Sequence, residues 1–418
     1  MGIVLKYKDR TVSDSMKSMS LSEVALFFLT LLLWIDRILL TYIRAIMMRI
    51  PIVGFMTDYL ILAAYILLIV FSVPRILKRM RAVDGVFIFI IVTICLVNYI
   101  IFPENAAVLN MYLPNFLFLT FPLYCIGLSL DFEKVYPWLY RLSLLTIPAF
   151  TAYKLFISAP MTDVQSVYQG DMWSAYNLLP HVCVVAVAML RKPGLVNIAL
   201  TMMGVVMLAS MGSRGPLLCT ILAMAAYLLF FKKYKHPFLA GFLIVFVAVT
   251  VMLGLDTIMQ LLYDIAKEAG LSVRIFEKYF EGSFSDSTGR EVIAARLYER
   301  IAREPIFGYG IFADRVAVGT YAHHIVIELW HSFGVVLGSA ILGGIIIVLL
   351  RAAKAAKKAD RYALLFLPLL FAGFIKLFLS NSFLEEIYLF WLLGIAVNFI
   401  RSSKKLTKKY RDRGVRSV

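Results

Sequence analysis

Charged side chains are scarce in this chain. Only 16% of its 418 residues are Asp, Glu, Lys or Arg and 61% are hydrophobic, whereas a soluble domain carries roughly a quarter of its residues as charges. A water-soluble fold is excluded on that ground, and the apolar residues come in runs long enough to cross a bilayer. Cysteine is equally sparse, with Cys95, Cys125, Cys183 and Cys219 each set inside an apolar run. They lack metal-site spacing and read as buried small hydrophobes, not as a disulfide or zinc framework. No repeat of fixed period occurs, and no low-complexity tract apart from a basic C-terminal tail. Acidic residues are outnumbered, 26 against 42 basic, for a formal charge of +16. Such an excess suits either nucleic acid or a membrane, and the positions of the positive residues decide between them.

A helix needs about 20 mostly apolar residues to cross the hydrocarbon. Scanning at that length predicts an all-α integral membrane protein, a polytopic bundle of about 12 transmembrane helices. The runs lie near 21–35, 54–73, 84–102, 111–130, 135–157, 173–190, 194–211, 215–231, 237–255, 322–350, 362–379 and 384–400. Placing both termini in the cytoplasm puts 27 of the 42 basic residues on inner segments and 12 on outer ones. The positive-inside rule therefore favours that orientation, and the charge is a topology signal rather than a nucleic-acid footprint. The first apolar run is followed by Asp36-Arg37 instead of a small-residue cleavage site, so it is expected to stay as an anchor. Four regions result: a membrane bundle over 1–255, a large outward-facing loop over 256–320, further membrane helices over 321–400, and a basic cytoplasmic tail over 401–418 that rests on anionic lipid.

The loop 256–320 is the one sizeable extramembrane region. Ile258 to Lys267 has apolar residues at helical spacing and suits the membrane surface. Gly282 to Gly289 is rich in turn formers. Arg290 to Glu304 has the spacing of an amphipathic helix, with Val292, Ala295, Leu297 and Ile301 on or near one face. Pro305 ends it, and the glycines of Ile306 to Gly310 permit a sharp turn against a neighbouring element.

Four outward features carry potential chemistry. Arg214, in Ser213-Arg214-Gly215-Pro216, sits at a helix start, where it serves as a snorkelling anchor or an anion ligand. Arg290 also opens a helix, a position the macrodipole disfavours, so a further partner such as a phosphate is expected, the alternative being an idle exposed charge. Three of the five histidines, His323, His324 and His331, fall with Glu328 where the chain re-enters the membrane. Such groups are costly there unless paired or functional. His324 and His331 are separated by about 10 Å of helix rise, too far for one zinc. A general base or hydrogen-bond donor is the better reading. Last, Asn381, Ser382, Glu385 and Glu386 supply a second carboxylate or cap helices, the capping reading being preferred. Asp163, Asp171 and Trp173 could contact a polar ligand, though their spacing is not specific.

Taken in order, Met211-Gly212-Ser213-Arg214-Gly215-Pro216, Ser287-Thr288-Gly289-Arg290, Glu304 to Gly310, and His323-His324 through Glu328 to Gly334 and Gly338 resemble the bacterial lipid-linked polysaccharide polymerases and ligases, the O-antigen polymerase and ligase superfamily. The resemblance implies a GT-C-like glycosyltransferase at the outer face of the inner membrane. Its donor and acceptor are undecaprenyl-pyrophosphate-linked oligosaccharides, it needs no metal or other cofactor, and a chain-length regulator protein is a further partner. Carried over by position, Arg214 and Arg290 hold the donor pyrophosphate. His323 matches the family's histidine, the base that takes the acceptor proton, with Glu328 beside it and Tyr309, Tyr321 and Glu385 as acceptor or glycan contacts. The family commonly has His-Asn where this chain has His323-His324, so either histidine can be the base and the other can orient the acceptor. No Asp-x-Asp pair is present to hold a divalent cation against a pyrophosphate, while arginine forks match phosphate oxygens. The run His323 to Gly338 and the stretch Phe383 to Gly394 look more like the polymerases than the ligases. A secondary transporter is the alternative from another class, but it calls for matched midplane groups in two halves. Pro122, Pro148, Pro180 and His181 lie in the first half, against only Pro368 and Lys376 in the second.

Overall fold

The computed structural model describes residues 19–47, 51–154, 164–211, 214–231, 255–268, 273, 276–277, 280, 289–357 and 360–412. Among these residues there are helices and no strands. In chain order the α-helices are α1 (Leu21–Ile35), α2 (Thr41–Met47), α3 (Pro51–Arg79), α4 (Ala82–Ile101), α5 (Ala106–Asn115), α6 (Pro122–Ser129), α7 (Phe132–Tyr153) and α8 (Val164–Arg191). They continue with α9 (Leu195–Ser210), α10 (Arg214–Ala226), α11 (Leu255–Glu268), α12 (Arg290–Arg303), α13 (Ala313–Val318), α14 (Ile325–Lys357), α15 (Asp360–Leu369) and α16 (Ile387–Asp412). The helices fall on the expected apolar runs, except that 237–255 lies outside the described residues but for its last position. Among the described residues six helical stretches are long and apolar enough to cross a membrane, and four shorter apolar ones accompany them. Helix α16 runs on from its apolar part through Asp412, well into the basic tail.

Local chemistry sets several boundaries. Ser20 caps α1 by accepting from the Glu23 amide, while Glu23 Oε2 accepts from the Ser20 amide, a reciprocal pair that satisfies two orphan donors. Small residues bring α6 and α16 together: a Cβ on Gly394 would lie 2.1 Å from the Tyr124 carbonyl, and one on Gly127 2.6 Å from that of Trp391. Backbones approach this closely in membrane bundles because lipid gives no hydrophobic push, and packing must supply the contact. The four cysteines are free thiols, three of them buried, as their apolar settings predict.

Helix α14 departs from its expected form in two ways. It begins at Ile325, so Tyr321, His323 and His324 lie in the turn ahead of the span rather than within it. Its 33 residues are also two helices, broken at Gly334, whose φ of 74° and ψ of 168° suit glycine alone. The break leaves carbonyls at His331 and Ser332 without helical donors, and the loop after α12 supplies them. Tyr309 N donates to His331 O (2.8 Å), Gly310 N donates to Ser332 O (3.0 Å), and Val335 N donates to Pro305 O (2.7 Å). This is the element against which the Ile306 to Gly310 turn packs. A Cβ on Gly334 would sit 2.0 Å from the Ile306 carbonyl oxygen. Gly334→Ala is expected to cost at least about 1–3 kcal/mol from backbone strain alone and to lower the melting temperature in detergent. Gly343→Ala, whose Cβ meets nothing within 4 Å, is the control. Equal melting of the two variants would refute the crossing as a source of stability.

Candidate functional site

Helix α12 is amphipathic, but its packed face differs in detail from the expected one. Leu297 and Ile301 are buried, with Ile293 and Ala294 beside them, whereas Val292 and Ala295 are exposed. The apolar stripe is thus rotated toward α14. That rotation puts Arg290, at the helix start, in reach of the segment after α15: its Nη1 donates to the Leu379 carbonyl at 2.8 Å. Arg290 Nε is buried without a partner. The unfavourable macrodipole position is therefore occupied by a partly paired guanidinium with donor capacity to spare.

Segment 379–386 gathers the site from distant parts of the chain. Ser380 Oγ lies 3.5 Å from His323 Nδ1, and its hydroxyl also meets Tyr321. Tyr321 and His323 pack ring on ring, with centroids 4.1 Å apart. The Ser382 hydroxyl donates to Glu328 Oε1, and the Phe383 amide donates to Glu328 Oε2 at 3.0 Å. Glu385 pairs with Arg315 at 2.6 Å. The fourth sequence feature caps α16 in part, Glu386 Oε1 accepting from the Tyr388 amide, and is otherwise an ion-paired and hydrogen-bonded segment.

Arg315 is the hub that the sequence did not announce. It is 7% exposed and pairs with Asp314 (2.8 Å), Glu328 (3.3 Å) and Glu385 (2.6 Å). Its guanidinium also lies over Phe312 at 4.8 Å and Tyr112 at 5.2 Å. Burial acts to discharge it, but the three carboxylates outweigh burial and hold its pKa above the usual arginine value. Asp314 in turn accepts from the Ala322 amide at 2.9 Å, which ties down the loop just ahead of His323.

The two adjacent histidines are separated by their surroundings. His324 Nδ1 accepts from the Val326 amide at 3.3 Å, so it serves the first turn of α14. His323 is held at a φ of 57°, in the left-handed region. Burial, followed by the positive charge of Arg290, pushes its pKa down to about 4, against a smaller opposing effect of Asp314. It is therefore neutral, as a base must be. Among the described residues the non-glycine positions with positive φ are Phe312, His323 and Asn381, all three of them in this network. Strain of that kind persists where the surroundings over-determine it.

The remaining expected contacts are placed as follows. Glu328 is 1% exposed, its carboxylate filled by Arg315, Ser382 and Phe383. Tyr309 is engaged: its hydroxyl donates to the Arg300 carbonyl at 3.0 Å, its ring stacks on His331 and Arg300 covers it. His331 belongs to that stack rather than to the His323 cluster. Arg214 opens α10 as expected, but its side chain, like residues 281–288 and Asp163, lies outside the described residues. The neighbouring Gly215 abuts the Tyr176 hydroxyl, where a Cβ would come within 2.2 Å. Trp173 is 43% exposed, and the Asp171 side chain is also outside the described residues.

An apolar cleft of about 460 Å³ leads away from the network. Ile311, Phe333 and Phe383 line it near the site, and Asp84 and Arg401 mark its far limit. Asp84 and Asn98 are separated by about 21 Å of rise along α4, and Asn98 Oδ1 accepts from the Ile311 amide at 2.7 Å. The cleft therefore follows α4 over much of a bilayer's depth. At its far limit Arg401 clasps Asp84 through two 2.8 Å bonds.

Residues 198–342 match the family model described as O-antigen ligase, and the match supports the O-antigen polymerase and ligase superfamily for this chain. The matched region includes Arg214, Arg290, His323, His324 and Glu328. No curated protein matches the chain. A multi-pass membrane protein with a polymerase- or ligase-type function is the supported description.

Proposed function

We propose that the protein polymerises undecaprenyl-pyrophosphate-linked oligosaccharide repeat units into a surface polysaccharide, by metal-independent inverting glycosyl transfer at the outer face of the inner membrane. The observation that carries this reading is His323, strained, neutral and packed between Tyr321 and Ser380 beside Arg290. A Ser380 hydroxyl that accepts from His323 Nδ1–H leaves Nε2 with a free lone pair. Nε2 takes the proton of the acceptor hydroxyl as that oxygen bonds to the anomeric carbon of the donor. The anomeric carbon–phosphate oxygen bond breaks on the opposite face, and the pyrophosphate leaves with the electron pair. Arg290, with Arg214 from the start of α10, neutralises the growing negative charge. Glu385, a quarter exposed beyond its pairing with Arg315, and Tyr321 meet acceptor hydroxyls. Glu328 and Tyr309 act further back, by holding the strained segments in place. The apolar cleft supports a lipid-linked substrate, since its hydrocarbon walls suit a polyprenyl chain whose head lies at the network.

The description of the matching family favours a second reading, transfer of the finished glycan to a lipid A core. A glycan gel of a deletion strain separates the two. Loss of a polymerase leaves single repeats on the core, whereas loss of a ligase leaves long lipid-linked chains and none on the core. An unchanged ladder would exclude both.

A further inference from the structure

Lys376 is a buried cation that the proposed chemistry does not use. It is 2% exposed and pairs at 2.5 Å with Glu386, which is also 2% exposed. Its ammonium lies over the rings of Tyr176 at 5.5 Å and Tyr388 at 5.6 Å. A desolvated ion pair is seldom a net source of stability, and its best attested use is to fix one arrangement among several. Here the arrangement is local. Glu386 Oε2 also accepts from Asn381 Nδ2 at 2.6 Å, and the Lys376 carbonyl accepts from the amides of Leu379 and Ser380, both at 2.8 Å. Asn381, at a φ of 79°, forms the left-handed corner between them. The residues on either side of that corner are Ser380, which meets His323, and Ser382, which donates to Glu328.

The geometry points to Lys376 as a positioning residue: through Glu386 and Asn381 it sets the corner that holds Ser380 against His323 Nδ1 and so orients the imidazole. This inference rests on the assignment of His323 as the base. Both members of the pair are buried, and Glu386 reaches the corner through Asn381, so the pair acts through the corner. Tyr176, beneath the ammonium, abuts Gly215 at the start of α10, so the same lysine also joins the corner to the helix that carries Arg214.

The test is a double-mutant cycle in the native strain, reading long-chain glycan per unit of full-length protein in the membrane. Lys376→Met and Ser380→Ala should each lower it roughly 10- to 100-fold, as a displaced base does. The double variant should be no worse than the poorer single one, because both changes remove the same contact. Lys376→Arg should recover part of the loss. Multiplying losses, or a Ser380→Ala variant with normal glycan, would overturn the inference. Should Lys376→Met fail to accumulate, Asn381→Gly and Asn381→Ala replace it. Glycine keeps the corner without strain and should retain more activity than alanine, and equal, undiminished activity in both overturns the inference. His323→Ala runs in parallel. Normal glycan there sinks the functional reading itself, whereas a dead His323→Ala variant with multiplying Lys376 and Ser380 losses sinks only the role of the lysine.

Discussion

His323→Ala should abolish long-chain glycan, with a loss of about 10²–10⁴-fold, the usual contribution of a positioned base, while the protein remains in the membrane at its normal level. The half-buried ring is not part of the main core, so its removal leaves helix packing intact. His324→Ala should do much less to the chemistry, because its ring caps the Val326 amide rather than joining Tyr321, Ser380 and Arg290. The pH profile sharpens the distinction. An ordinary histidine is half protonated near pH 6.5, but burial and Arg290 push His323 down to about 4. A base works only when unprotonated, so synthesis in membrane vesicles should stay flat as the pH falls through 6.5. It should then drop tenfold per unit below about pH 4. Removing the positive charge of Arg290 relieves part of the depression and should move the acid limb upward. A profile that already fell at pH 6.5 in the unaltered protein would mean that His323 is not the titrating base.

Much of this could be read from the sequence, and the remainder has identifiable physical causes. The bundle was legible because lipid forces every spanning backbone into helices, so that runs of apolar residues map directly onto elements. The crossing at Gly334 was only half legible. Gly308 and Gly310 announced a tight turn, but the broken helix that receives it has the composition of an ordinary span from Ile325 onward. Arg290, His323 and Glu385 were singled out by type and position, and they do lie in one network. Arg315 was not, because its partners Glu328 and Glu385 lie 13 and 70 positions away and nothing in Ala313-Asp314-Arg315 marks burial. A signal was available for Lys376, since an ionisable residue inside an apolar run demands a partner. The sequence does not say that the partner is Glu386, ten positions on, because the intervening corner depends on the left-handed conformation of Asn381. Phe312 and His323 adopt the same region, where side chains with a Cβ are rarely expected, and no pattern rule anticipates it.

Arg290 carries the second large effect. Its guanidinium gives one donor to the Leu379 carbonyl and keeps a buried Nε without a partner, which leaves donors for an anion. A donor aimed at charge that develops in the transition state is worth about 10²–10³-fold in rate, so Arg290→Ala should lower glycan by that factor. Arg290→Lys should recover little of it, because an ammonium can replace the charge but cannot hold Leu379 and a phosphate oxygen together in one plane. The two substitutions also separate Arg290 from His323. Removing the base leaves donor binding intact, so His323→Ala membranes should still retain the lipid-linked donor on affinity capture, whereas Arg290→Ala membranes should retain less. If both variants bind donor as the unaltered protein does, Arg290 does not hold the pyrophosphate.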